Sequence, residues 1–187
     1  MLNTRLEYEL RIANSWYERN GMIVNPDKHQ AMVINANGEY DFSFPVKNSI
    51  ELLGVTIDRD LSFNCHISQM CEKVNKQFGV LKRFKNIIIS NVMLRLYKAF
   101  ILPHFQYCSL IWHFSGNRNC DKLESLNIRI LRFIFNDPLS SYGDLLNKTK
   151  IASLYTGRLY KTLIVVFKSL FVSMYPGYLK GLFVLRN

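Results

Sequence analysis

The sequence predicts an α+β chain: a small antiparallel sheet with one helix, followed by a mostly α-helical bundle. Three observations predict it. Apolar residues recur at helical spacing over residues 2–19 and again from residue 67 onward. A strict period-2 alternation lies between them at residues 40–47. The charge also changes sign: residues 1–66 hold 6 basic and 9 acidic side chains, and residues 67–187 hold 18 and 5.

In the first helix, Leu6, Leu10, Ala13 and Tyr17 make the apolar stripe, and Asn20-Gly21 is the stop. Three strands are predicted next. Gln30–Asn35 is short and apolar. Tyr40, Phe42, Phe44 and Val46 alternate with polar neighbours, and Pro45 puts that strand at an edge, because proline cannot donate a ladder hydrogen bond. Ile50–Ile57 is the third, and Asn37-Gly38 signals a hairpin between the first two. Ile67, Met70, Cys71, Val74, Phe78 and Leu81 then begin the helical part. Another helix starts at Ser90 and ends at Pro103. A third stripe is Leu123, Leu126, Ile130 and Phe133, and a fourth runs over residues 152–173. Strand pattern, charge sign and helix pattern switch together near residues 58–63, dividing the chain into 1–60 and 61–187.

A net charge of +10 with 49% hydrophobic residues excludes general disorder. The first twenty residues alternate charged and apolar positions, unlike a secretory signal. Cys65, Cys71, Cys108 and Cys120 have no framework spacing, so a reduced intracellular protein of nucleus or cytoplasm is expected. Residues 99–117 lack formal charge, but Pro103, His104, Gln106 and His113 make them a buried helix and turn rather than a span, so no membrane is expected.

Neither Cys65-His66 with Cys71 nor His104, Cys108, His113 and Cys120 has common zinc spacing. There is no nucleophile elbow and no Gly-rich phosphate loop. Asp58 and Asp60 flank Arg59 and suit either a metal or a polar turn. The basic residues are more informative. Lys73, Lys76, Lys82, Arg83 and Lys85 lie in an acid-free run with interleaved aromatics. Lys122, Arg129 and Arg132, seven and three apart, share one helix face as a ladder able to follow a phosphate backbone. A solvated polar face explains the same spacing.

Trp16, Asn20-Gly21-Met22, Asn25-Pro26-Asp27-Lys28 and Met32-Val33-Ile34 come in an order that resembles non-LTR (LINE-type, jockey-like) retrotransposon reverse transcriptases. Leu53 through Asp58, Leu61-Ser62-Phe63, His66-Ile67, the Tyr97–Ile101 block with Pro103 and Tyr107, Ile111-Trp112 and Arg129–Arg132 extend the resemblance over essentially the whole chain. It implies a right-hand RNA-directed DNA polymerase, with residues 1–60 ending the palm and 61–187 forming the thumb and a C-terminal extension. It makes Lys28 the motif D lysine, which assists the incoming nucleotide or the leaving pyrophosphate. It makes Leu53, Gly54 and Val55 the primer grip, and the basic residues above contacts to an RNA/DNA template–primer duplex.

The family holds two Mg2+ ions on an aromatic-Ala-Asp-Asp tetrad and a further aspartate. Residues 1–15 contain no aspartate. The resemblance therefore implies a fragment following the catalytic centre, without cofactor, inactive alone and missing an upstream polymerase segment. The alternative is an inert or protein-interaction helical remnant.

Overall fold

The computed structural model describes residues 2–25, 30–34, 46–172 and 176–183. The chain divides into two compact units, Met1–Ser62 and Phe63–Asn187.

In the first unit, helix α1 runs from Leu2 to Arg19. It ends because Gly21 adopts φ +66, the left-handed conformation in which glycine carries no Cβ penalty. The Met22 N–H then donates back to the Tyr17 carbonyl at 2.9 Å. The stripe of α1 is not covered: Leu6, Ala13 and Tyr17 are exposed and Leu10 is half-buried.

The stretch expected as a single strand over residues 50–57 is instead a hairpin. Strand β1 (Ser49–Leu52) pairs antiparallel with β2 (Val55–Asp58), with Leu52 opposite Val55. Leu53 and Gly54 form the turn at φ 49 and 77. Two positive values make a type I′ turn, whose twist matches that of the strands it joins. Residues 30–34 form no strand either. Ala31 makes an isolated parallel bridge to Val46, and the Lys47 N–H donates to the Ala31 carbonyl at 2.9 Å. The described sheet is this two-stranded antiparallel hairpin. Lys28, the Asn37-Gly38 turn and most of the alternating stretch at 40–46 lie outside the described residues. Asp58 accepts from the Ser62 N–H at 2.9 Å and from the Ser62 hydroxyl at 3.2 Å, the geometry of a polar turn.

The second unit is helical. Its elements are α2 (Asn64–Arg83), α3 (Ser90–Leu96), a π turn (Tyr97–Ile101), a 3₁₀ turn (Leu102–Phe105), α4 (Ser109–Trp112), α5 (Asn117–Phe135), α6 (Tyr142–Thr149), α7 (Leu154–Phe171) and α8 (Gly177–Lys180). The chain does not stop at Pro103, as expected, but passes it. Proline lacks an N–H and collides with the carbonyl four residues back. The wider π turn before it and the 3₁₀ turn around it accommodate both demands.

The core lies between α2 and α5. Ile67, Val74, Phe78 and Leu81 of α2 and Leu123, Ile130, Leu131 and Ile134 of α5 are all buried, and the two helices pack on each other. Helices α3, α6 and α7 also pack on α5, which makes it the central helix. The uncharged stretch buries Ile101, Phe105 and Trp112. Among the described residues no helix is long and apolar enough to cross a membrane.

Candidate nucleic-acid interface

Four side-chain contacts join α2 and the turn that follows it to α5 and its C-cap. Asn119 Nδ2 donates to Asn64 Oδ1 at 2.9 Å, and Lys122 Nζ to Ser68 Oγ at 3.0 Å. Arg129 donates to Asn75 Oδ1, and Lys85 Nζ to Asn136 Oδ1 at 3.1 Å. Both members of each pair advance together along the chain, so the helices run parallel. Ser68, Asn75 and Lys82 are seven residues apart on α2, as Lys122 and Arg129 are on α5. Seven residues bring a helix back to nearly the same azimuth about 10.5 Å further on, so the contacts repeat as rungs along one seam.

Aromatic rings floor the upper part of the seam. Phe78 and Phe133 meet edge to face at 5.3 Å. Lys82 Nζ lies 4.5 Å from the Phe78 ring, with the Arg129 guanidinium 5.8 Å from the same ring. Lys85 Nζ lies 5.2 Å from the Phe133 ring. These contacts hold cations in place without neutralising them. Lower down, Cys71, Asn75, Lys122, Ser125, Leu126 and Arg129 line a recess of about 380 Å³. Burial pushes the Cys71 thiol upward, against the pull of the Lys122 and Arg129 charges. Cys71 is therefore a packed thiol rather than a nucleophile.

The structure divides the basic residues singled out in the sequence. Lys82, Lys85, Lys122 and Arg129 gather on the seam. Lys76 and Arg83 are exposed, roughly 80–100° around α2 from it. Lys73 lies roughly 160° away, on the flank that faces His66. Arg132 leaves the expected ladder: it sits about 60° around α5 and its guanidinium donates to the Ser140 carbonyl at 3.4 Å. Leu53, Gly54 and Val55 belong to the other unit, with Leu53 exposed at the turn and Val55 buried. The seam's neutral partners, Ser68, Asn75 and Asn136, carry no signal readable in advance.

Behind the seam a polar network fixes α5. Tyr97 donates to Asn127 Oδ1 at 2.6 Å, Asn127 Nδ2 to the Tyr142 hydroxyl at 2.9 Å, and Tyr142 to Glu124. Glu124 also accepts the Tyr155 N–H at 2.6 Å, closing the start of α7. Burial, followed by the Glu124 charge, pushes the Tyr97 phenol well above its ordinary range.

No adjacent aspartates occur in the sequence, and among the described residues no three His, Cys, Asp or Glu side chains gather as a metal site. The described residues thus bring together no set of carboxylates that fits a two-magnesium centre.

No family model and no solved structure matches the chain. Over 94 residues the chain is 27% identical to the probable RNA-directed DNA polymerase from transposon X-element of Drosophila melanogaster. The match supports a relation to a transposon reverse transcriptase. It takes in 48% of this chain but 10% of that polymerase, so the matched stretch is a small part of the relative.

Proposed function

We propose that this chain is the palm end and thumb of a non-LTR retrotransposon reverse transcriptase, and that it supplies grip rather than chemistry. The α2–α5 seam takes the backbone of an RNA/DNA template–primer duplex. The observation that carries this reading is the repeating rung: Lys122 and Arg129 in register with Ser68 and Asn75, continued by Lys82 and Lys85 over aromatic rings. Cations gathered along one seam suit the line of phosphates on a duplex backbone. In the same reading the exposed Leu53-Gly54 tip meets the primer end, and Lys28 keeps its motif D role.

The test is binding of a labelled RNA–DNA duplex between about 50 and 200 mM salt. Affinity is expected to fall linearly on logarithmic axes. The pair Lys122→Gln and Arg129→Gln should flatten the slope by nearly one unit for each phosphate that is no longer neutralised. Lys73→Gln, on the far flank of α2, should leave the slope unchanged. Salt-independent binding, or equal flattening by Lys73→Gln, would overturn the assignment.

A further inference from the structure

One face of α7 carries Tyr160, Leu163, Phe167 and Phe171, exposed at 66, 57, 59 and 66%. Their spacing of three, four and four residues confines them to roughly 80° of the helix surface. The opposite face holds buried Leu154, Arg158 and Ser169, and α7 packs on α4, α5 and the short α8 that follows it, while the four stripe residues stay exposed. The helix is thus anchored by one face and presents the other. An apolar stripe at this spacing on an 18-residue helix is the surface against which a second helix packs.

The borders of the stripe say what kind of helix fits. On one side Lys161 and Lys168 stand seven residues apart, with Lys161 Nζ also donating to Gln106 Oε1 at 3.2 Å. On the other side Leu159, Val166 and Leu170 are half-buried. Residues 145–187 contain no acidic side chain. A second copy laid on this face would set lysines against lysines with no carboxylate to answer them. A single-stranded nucleic acid would need open ring faces in sequence. Leu163 interrupts that series, and Phe167 and Phe171 lean on each other with centroids 5.1 Å apart.

We propose that this face of α7 docks an amphipathic helix of a different protein chain. That helix carries an apolar stripe and, on one flank, carboxylates seven residues apart that meet Lys161 and Lys168. The four side chains offer on the order of 500 Å² to the contact, which suits a transient interface.

The probe is a labelled synthetic peptide of three heptads, with leucine along one stripe and glutamate on one flank at seven-residue spacing. Binding to the full chain is read by fluorescence anisotropy. It is expected to be at least tenfold tighter than for a peptide with lysine at the flank, or for one of scrambled order. The double variant Leu163→Glu, Phe167→Glu should lose at least tenfold, with an unchanged far-ultraviolet circular dichroism spectrum, and Phe167→Ala should fall between. Equal binding of the scrambled peptide, or full binding by the double variant, would overturn the proposal. So would an absence of peptide binding combined with variant-sensitive binding to oligo(U), to phosphatidylserine vesicles or to a second copy in sedimentation.

Discussion

Arg158 carries a full positive charge into the helical unit, where it is 2% exposed. Its Nη2 donates to Cys120 Sγ at 3.7 Å and its guanidinium lies 5.1 Å from the Trp112 ring, while Nε and Nη1 meet no protein acceptor. His113, 3% exposed, is close enough to feel that charge. Burial first, and Arg158 second, hold the His113 imidazole below its ordinary value of 6.5. His66 is lowered by burial and then by Lys73. Both rings therefore stay neutral in the folded state at pH values where the unfolded chain takes up protons. Stability is complete above about pH 6.5 and is lost as pH falls below it, because the unfolded state binds more protons there. Asp137, held low mainly by Lys148, titrates in a more acidic range and does not enter this window. The unfolding free energy from denaturant titrations is expected to fall between pH 7 and 5 as the unfolded chain takes up these protons. His113→Phe should make that drop smaller. A pH-independent midpoint, or an unchanged slope in the variant, would count against this account.

At the scale of elements, the long helices were legible because their apolar residues keep one period over several turns, as Ile67, Met70, Val74, Phe78 and Leu81 do in α2. The shorter pieces were not. Helix α6, eight residues from Tyr142, is too brief for a periodic signal, although its Ser141 cap accepts the Asp144 N–H at 3.2 Å. The hairpin β1–β2 read as one strand because a type I′ turn is normally announced by Asn-Gly or Asp-Gly, and here the first position is leucine. The seam was half visible: Lys122 and Arg129 show the seven-residue repeat, but their partners sit on another helix whose parallel register no local pattern reports. Leu53, 80% exposed at φ 49, carries the strain of a bulky residue in a left-handed turn. Leu53→Asn is expected to stabilise the hairpin by about 1 kcal/mol, seen as a rise in thermal midpoint. If the leucine is kept for a primer contact, the same variant should bind duplex more weakly while melting higher. A lower midpoint would mean that the leucine is held in place by packing rather than strained.

The whole molecule divides its burial unequally. Among the described residues of Met1–Ser62, Val55 alone is buried, whereas α2 and α5 bury most of one face each. Hydrogen-bonded amides resist exchange in proportion to the free energy of the opening that exposes them. The amides of α1 are therefore expected to exchange at low opening cost, and those of Val74, Phe78, Ile130 and Leu131 near the limit set by global unfolding. Nucleic acid sharpens the contrast. A ligand at a hundred times its dissociation constant stabilises the state that binds it by about 2.7 kcal/mol. If the duplex lies along the seam, that gain belongs to the openings that break the seam. Added protection should then appear in α2 and α5 and leave α1 unchanged. The measurement is native-state hydrogen exchange with and without duplex, resolved by peptide mass. Equal added protection in α1 and the seam helices would place the contact across both units. Protection of α7 without α2 would move the grip to the aromatic stripe and away from the cations of the seam.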